Sequence, residues 1–355
     1  MTDARPGVMD VSHELASGEP RTAIGGAGFD WAMTGLSAWF LAGVVLDNWA
    51  HAHQEIIGKL ETFYTPWHAV LYSGWLAVTG FMTWTVLRNR SRGIPWRGAL
   101  PPGYWLSFLG VLLFTWGGGF DLVWHTLWGI EVGLDASYSP PHLILGAAWV
   151  LILSGPLRAA WRRPPPATWP DDLPMVLSLT LTLSVVSFFT GFFQPLMNPW
   201  PDLAHRVTPD NLGQAIGMAS ILLHTAVLMG FILLSTLRRP LPLGGFTLFF
   251  TLSAVLMATG SWPEHSGLLA IACAAIVGAA TDVLARRLRP SRQRRAALRL
   301  FAVAIPVMFY ALHFAAWGLT TGIWWSVHLW AGAIILAGAV GWALSCAFVP
   351  PLLPD

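Results

Sequence analysis

Stretches of about 20 apolar residues recur along the chain and constrain its fold more than any other feature. A helix needs about 20 such residues to cross about 30 Å of hydrocarbon, where every backbone polar group must bond within the protein. Ten stretches have this length: approximately 31–52, 66–87, 104–125, 140–160, 174–195, 212–236, 243–262, 265–285, 300–320 and 323–346. The sequence therefore predicts an all-α, polytopic membrane helix bundle of about ten transmembrane helices.

The segments between these stretches are short, and none is long enough to form a separate soluble domain. We expect a cytoplasmic tail over 1–30, a single integral membrane domain over 31–347 and a second cytoplasmic tail over 348–355. Only 11% of the residues are charged, against about 25% in soluble domains, which leaves too little polar surface for a water-soluble protein. The polar N-terminal tail lacks the apolar core of a cleavable signal peptide, so the first helix is expected to direct insertion.

The basic residues predict the orientation in the membrane, because Lys and Arg are enriched in cytoplasmic loops. The N-terminal tail and the loops after the second, fourth, sixth and eighth predicted helices carry 18 of the 20 basic residues. Only Lys59 and Arg206 lie on the other side. Both termini are therefore predicted to be cytoplasmic, in a multi-pass protein of the bacterial cytoplasmic membrane. The arginine-rich stretch 286–299 fits a topology signal that faces anionic lipid, and no nucleic-acid partner is expected.

The histidines collect on the predicted non-cytoplasmic side, together with half of the acidic residues. Nine of the 11 histidines lie there: His51, His53, His68, His125, His142, His205, His265, His313 and His328. Nine of the 18 acidic residues lie there too: Asp47, Glu55, Glu61, Asp121, Glu131, Asp135, Asp202, Asp210 and Glu264. An even distribution would rarely place so many imidazoles at one end of the helices, and we interpret the asymmetry as the sign of a metal site.

One motif occurs twice in this region. The segments LDNWAHAHQEIIGKLETFYTPWHAVL and FDLVWHTLWGIEVGLDASYSPPHLIL align with each other without a gap. Each contains Asp-x3-His-x16-His, and each ends in [Glu/Asp]-x2-Tyr-[Thr/Ser]-Pro-x-His. The matched pairs are Asp47 with Asp121, His51 with His125, Glu61 with Asp135, Tyr64 with Tyr138, and His68 with His142. The repeat units, 31–87 and 104–160, predict two helix hairpins related by a pseudo-twofold axis along the membrane normal.

The spacing of the motif predicts that its ligand-type residues converge. Residues at i and i+4 share a helix face, so the Asp and the first His project together from the last turn of one helix. The hydroxyl residue and proline begin the next helix, which places the second His at the same depth across the hairpin. We predict that the metal ligands are Asp47, His51, His68, Asp121, His125 and His142. Glu61 and Asp135 are the candidate catalytic residues, either bridging metals or orienting an imidazole.

The metal is expected to be copper, with iron or zinc as alternatives, because two imidazoles and one carboxylate suit all three. A second interpretation needs no metal, since polar side chains at this level can also form a structural hydrogen-bond network. Charged groups inside a membrane span are costly and usually functional, which favours the metal site. The histidines outside the motif remain open as ligands, proton relays or core residues: His53, His205, His224, His265, His313 and His328.

These features favour a metal-dependent membrane oxidoreductase that acts on a small or lipophilic substrate. The Asp-x3-His…His pattern resembles the metal site in the C subunit of the particulate copper membrane monooxygenases, which implies copper chemistry. The resemblance covers only a few residues, and here the final spacing is longer, the motif is doubled and the chain has more helices. No family is assigned on that basis. An extracytoplasmic metal or electron-transfer protein is the expected partner, besides the lipid bilayer, and the oligomeric state is left open.

Three alternatives come from other functional classes. A zinc-dependent membrane hydrolase would use Glu61 or Asp135 as proton acceptor, but the Ser-x3-His and His-x3-His signatures of seven-helix lipid hydrolases are absent. A metal-ion or proton transport protein would need polar residues through the whole membrane, and the inner half is nearly bare. A haem-binding electron-transfer protein could use paired transmembrane histidines, although the accompanying carboxylates are not needed for that role.

Overall fold

The computed structural model describes residues 25–52, 65–129, 131, 133–164, 168–206, 210–258 and 265–351. In these residues the protein is all-helical, with 81% of residues in helices and no β-strand. The all-α class predicted from the apolar stretches is confirmed.

The described part of the chain contains 12 α-helices, which we number in chain order. They are α1 (Ala27–Ala52), α2 (Pro66–Ser91), α3 (Trp105–Trp128), α4 (Leu134–Tyr138), α5 (Pro140–Leu153), α6 (Gly155–Ala160), α7 (Trp169–Phe189), α8 (Asp210–Arg238), α9 (Gly245–Ala258), α10 (His265–Leu288), α11 (Arg295–Leu319) and α12 (Val327–Phe348).

Nine spans in the described residues are long and apolar enough to cross a membrane. Helices α5 and α6 together form one of them, Pro140–Ala160, which is interrupted at Ser154. The predicted stretch 243–262 corresponds to α9, a helix of 14 residues, and its last residues lie outside the described part. The chain is therefore a multi-pass membrane protein by helix length and composition, while the total of ten spans stays a prediction.

Helix α7 differs most from its predicted bounds of 174–195. It begins at Trp169, because Asp171 accepts hydrogen bonds from the backbone and the hydroxyl of Thr168 at 3.2 and 2.7 Å. This capping interaction starts the helix earlier than the apolar pattern alone indicates. The helix ends at Phe189 and is followed by a short 3-10 turn, Gly191–Phe193.

The first four spans form two closely packed hairpins, α1 with α2 and α3 with α5. A Cβ added to Gly43 of α1 would overlap the backbone of Leu71, so this glycine lets the two helices approach. Gly117 of α3 lies against Leu145 of α5 in the same way, with a Cβ contact of 3.0 Å to its side chain. Gly43 is equivalent to Gly117 in the aligned repeat, and Leu71 is equivalent to Leu145. The same glycine–leucine contact therefore closes both hairpins.

Aromatic rings join the two hairpins. The rings of Phe40 and Phe114 meet edge to face with their centroids 4.9 Å apart. Phe40 also contacts Trp149, at 5.3 Å, and Phe114 contacts Trp75, at 6.2 Å. These rings belong to the core of the N-terminal hairpins, and a second core is formed mainly by helices α7 to α12.

Two ion pairs connect helices at the end of the bundle that carries most of the arginines. Asp30, at the start of α1, accepts hydrogen bonds from Tyr104 at 2.5 Å and from Arg163. Arg239, after α8, donates to Asp172 of α7 at 2.9 and 3.0 Å, and both side chains are buried. Arg239 also donates to the carbonyl oxygens of Ala160 and Arg163 at 3.1 and 3.0 Å, which joins the end of the second hairpin to the end of α8.

Candidate metal centre

The helix geometry of the second hairpin places three predicted ligands at one level. Asp121 and His125 lie one turn apart at the end of α3, and His142 is the third residue of α5, which begins at Pro140. The short helix α4 lies in the connection between them. We call this end of the bundle, where α1 and α3 end and α2 and α5 begin, the ligand end.

Asp121, His125 and His142 form a triad that could bind a metal ion. A single carboxylate oxygen of Asp121, Oδ1, lies 3.3 Å from Nε2 of His125 and 3.3 Å from Nε2 of His142. The three ligand atoms all lie within 4.8 Å of one another. Asp121 is buried, with 5% of its surface exposed, and its Oδ1 accepts no hydrogen bond from the described residues.

The carbonyl oxygen of Gly129 defines which nitrogen of His125 faces the carboxylate of Asp121. It lies 3.2 Å from Nδ1 of His125 and can only accept a hydrogen bond, so Nδ1 carries the proton. A carboxylate oxygen of Glu131 also lies 2.9 Å from Nδ1, but it accepts no hydrogen bond from the described residues. Nε2 of His125 therefore points a lone pair towards Asp121, in the arrangement common among metal-bound histidines.

His142 is oriented by a different partner. Its Nδ1 lies 3.0 Å from the hydroxyl oxygen of Ser139. From the sequence we expected this hydroxyl to cap the backbone of α5, and that expectation is wrong: Ser139 makes no side-chain hydrogen bond to the helix backbone. The hydroxyl bonds to the imidazole instead, which leaves Nε2 of His142 directed at Asp121.

The convergence of these atoms favours a cation between them. The buried carboxylate oxygen of Asp121 and Nε2 of His125 face each other with lone pairs, which repel unless a positive charge lies among them. Nε2 of His142 faces the same oxygen and offers a third lone pair when the hydroxyl of Ser139 accepts the Nδ1 proton of His142. A metal ion bound tetrahedrally at about 2.0–2.1 Å holds adjacent ligand atoms about 3.3 Å apart. The two Asp121–His distances of 3.3 Å match that edge.

The first hairpin repeats part of this geometry. Oδ1 of Asp47 lies 3.3 Å from Nε2 of His68, the same distance and atoms as in the Asp121–His142 pair. The hydroxyl of Thr65 accepts a hydrogen bond from the backbone N–H of His68 at 3.2 Å, so Thr65 caps α2 as predicted. His51 lies in the last turn of α1, but its side chain is outside the described part, as is all of Glu61.

The two hairpins bring their polar groups into one region. His68 of the first hairpin lies close enough to Asp121 of the second to interact with its charge. Tyr72, one turn further along α2, interacts in this way with both Asp47 and Asp121. The position of Tyr72 in the other hairpin is taken by Gly146, where a Cβ would meet the ring of Phe189 at 2.6 Å. The two halves are therefore adjacent but not identical.

Glu131 is a candidate functional residue that reasoning from the repeat missed. The equivalent position in the first hairpin is Ile57, so Glu131 has no counterpart there. Its position shortly after His125, in the segment that connects the two helices, was the available signal. Asp135 was predicted to orient an imidazole, and it is exposed on α4. In the described residues the carboxylate that lies against the imidazole of His125 belongs to Glu131. The role of Asp135 stays a prediction.

Three other histidines with described side chains, His224, His313 and His328, are not part of the triad. His224 of α8 is buried with Nδ1 2.7 Å from the hydroxyl of Tyr310, and His313 of α11 is buried with Nδ1 2.7 Å from the carbonyl oxygen of Phe309. His328 is exposed in the first turn of α12. The side chains of His53, His205 and His265 lie outside the described part.

Comparison with known proteins adds no family to this geometry. No protein family, no curated protein and no solved structure matches the chain. The resemblance to the copper monooxygenase subunit therefore rests on the Asp-x3-His…His residues alone. What the chain does must be inferred from the arrangement of its own side chains.

Proposed function

We propose that the chain is an integral membrane metalloprotein whose metal ligands are Asp121, His125 and His142. The observation that carries this proposal is the buried Oδ1 of Asp121, which faces two imidazole Nε2 atoms at 3.3 Å and accepts no hydrogen bond from the described residues. A purely structural network would place protons between these atoms in hydrogen-bonding geometry.

The proposed activity is that of a copper- or iron-dependent oxidoreductase acting on a small or lipophilic substrate. Two imidazoles and one carboxylate leave coordination positions open for a substrate or for oxygen, as in facial-triad sites. Copper or iron bound there would supply one-electron chemistry. The carbonyl oxygen of Gly129 and the hydroxyl of Ser139 hydrogen-bond to the two imidazoles. We propose Glu61 and Asp135 as the proton-handling groups.

A second set of ligands is proposed on the first hairpin, from Asp47, His51 and His68. The shared distance of 3.3 Å in the Asp47–His68 and Asp121–His142 pairs supports it. The ring contacts also support a pseudo-twofold relation, because Phe40 and Phe114 meet each other and each contacts the tryptophan of the other hairpin. The distribution of arginines supports placing both sets on the non-cytoplasmic side.

Zinc is the second candidate metal, because the 3.3 Å edges suit a tetrahedral zinc site equally well. With zinc the site would serve a membrane hydrolase, in which a bound water becomes the nucleophile. The metal content of the protein separates the two functions.

Metal analysis of the detergent-purified protein tests the proposal. Mass spectrometry together with an absorption spectrum distinguishes copper, iron, zinc and haem in one preparation. We expect the double variant Asp121→Ala/His125→Ala to lose the metal that the triad binds and to keep only metal bound by the first hairpin, and the control His328→Ala, at an exposed histidine outside the site, to keep the full metal content. Unchanged metal content in the folded double variant would show that the triad is not the site.

A further inference from the structure

The aspartates of the two hairpins are directed into one space at the ligand end. Phe40 of α1 and Phe114 of α3 meet edge to face, with their ring centroids 4.9 Å apart. Asp47 follows Phe40 by seven residues, and Asp121 follows Phe114 by the same number. Seven residues make about two helical turns, so each aspartate projects from the same helix face as its phenylalanine. Both carboxylates therefore lie on the sides of α1 and α3 that face each other.

Two side chains of α2 lie near the carboxylates of both hairpins. Nε2 of His68 is 3.3 Å from Oδ1 of Asp47, and the same imidazole lies close enough to Asp121 to interact with its charge. Tyr72, one turn further along α2, is close enough to interact with the charges of both aspartates. Because one imidazole and one phenol reach the carboxylates of both hairpins, the two ligand sets border the same polar region.

We propose that the two ligand sets form one centre that holds two metal ions, one on each hairpin. This centre goes beyond the triad because it joins the ligands of both hairpins, and it rests on the proposed metal binding of each hairpin. One ion is held by Asp121, His125 and His142, and the other by Asp47 and His68, with His51 as the third proposed ligand of the first hairpin.

The spacing of the ligand atoms assigns one ion to each hairpin. Within the described residues, the three ligand atoms that lie within 4.8 Å of one another belong to Asp121, His125 and His142. Asp47 and His68 are not part of that group, and their own pair repeats the 3.3 Å Oδ1–Nε2 distance of Asp121 and His142. A single ion at about 2.0–2.1 Å from its ligands could not contact both complete sets, whereas two neighbouring ions could.

The charges of the region also favour two ions over one. The side chains of Asp47, Asp121 and Glu131 are at most 21% exposed, and their described ion pairs are with histidines, which are charged only when protonated. The sequence predicts two basic residues on this side of the membrane, Lys59 and Arg206. One divalent ion carries two positive charges against three carboxylates, so one negative charge would remain without a metal to balance it. A second ion removes that deficit.

The two ions have different surroundings, which makes them distinguishable. Glu131 lies against His125, whereas its equivalent in the first hairpin is Ile57. The first hairpin carries Tyr72, whereas the equivalent position in the second is Gly146. An ion left alone on either hairpin is therefore expected to give its own spectrum.

The test loads the metal-free, full-length protein in lipid nanodiscs with Cu(II). This ion binds nitrogen and oxygen ligands more tightly than the other divalent ions of its series, so it reports on the centre whichever metal is native. Mass spectrometry measures the copper bound per chain, and electron paramagnetic resonance measures frozen samples. Two Cu(II) ions in one centre couple magnetically, which gives a half-field signal or lowers the integrated signal below the copper content.

We expect two copper ions per wild-type chain, coupled magnetically. Asp47→Ala and Asp121→Ala should each lose one ion and the coupling, and the two variants should give different spectra. The isosteric variants Asp47→Asn and Asp121→Asn replace any alanine variant that fails to fold. His328→Ala, at an exposed histidine outside both sets, is the control and should keep both ions and their coupling.

The remaining outcomes separate this centre from the triad alone. Two uncoupled ions in the wild-type protein would mean two separate sites and would overturn the shared centre. A single ion, whichever aspartate it needs, would overturn it as well, and the triad stands if only Asp121→Ala removes that ion. A wild-type protein that binds no copper would contradict the triad and the shared centre together.

Discussion

Glu131 holds a carboxylate oxygen 2.9 Å from Nδ1 of His125, on the ring nitrogen that does not face Asp121. This contact places the carboxylate of Glu131 against the imidazole, where a negative charge would increase the basicity of His125 as a ligand, beside the hydrogen bond of Nδ1 to the carbonyl oxygen of Gly129. An orienting carboxylate and a merely acidic surface group differ in what their removal does to metal affinity.

We expect Glu131→Gln to weaken metal binding by about 10–100-fold, the usual effect of losing a carboxylate that supports a metal-bound histidine. Titration of the metal-free protein with copper measures the change. Asp135→Asn is the comparison, because Asp135 is an exposed acid on the neighbouring helix α4 and we expect a smaller effect there if it acts on protons rather than on the ligands. Equal effects of the two substitutions would mean that only general negative charge matters.

Asp121→Asn should stabilise the metal-free protein while it abolishes metal binding by the triad. The buried Oδ1 of Asp121 accepts no hydrogen bond from the described residues. Removing that charge relieves a penalty of about 1–3 kcal/mol. Thermal unfolding with and without added metal measures both effects. A loss of stability in the metal-free variant would instead indicate a structural hydrogen-bond network.

Ser139→Ala and Thr65→Ala should have different consequences although the two positions are equivalent in the repeat. Thr65 caps the backbone of α2, so its loss should reduce stability by about 1 kcal/mol. Ser139 bonds to His142 at 3.0 Å and should therefore affect metal affinity more than stability. Metal titration and chemical unfolding of both variants measure the contrast, and matching profiles would contradict it.

Asp172→Ala should destabilise the bundle by about 3–5 kcal/mol, because it leaves the buried guanidinium of Arg239 without its ionic partner. Metal content per folded molecule should not change, since the pair lies at the arginine-bearing end of α7 and α8. Unfolding in denaturant measures the stability. A stabilised double variant, Asp172→Leu/Arg239→Met, would show that the penalty comes from the unpaired charge.

A cysteine at position 135 should react with a membrane-impermeant thiol reagent added to intact cells, and a cysteine at position 292 should not. Both variants are made in a protein whose native Cys273 and Cys346 are replaced by serine. The arginine distribution predicts this sidedness. Labelling of position 292 but not 135 would place the ligand end in the cytoplasm.

Much of the site was predictable from local patterns. Asp121 and His125 lie one turn apart on α3. Helix α5 begins at Pro140, which places His142 in the first turn of that helix. Helix periodicity and a short connection therefore suffice to bring these side chains to one level. The bounds of α7 were less predictable, because the capping interaction between Thr168 and Asp171 competes with the apolar pattern.

The sequence by itself determined the membrane class, the helices and the pairing of Asp121 with His125 and His142, because these follow from hydrophobic length and helical register. Only the tertiary structure decided that the carboxylate of Glu131 lies against His125, that Ser139 hydrogen-bonds to His142 rather than to the helix backbone, and that Asp172 pairs with Arg239. These features depend on connecting segments and on contacts between distant helices, which no local periodicity encodes.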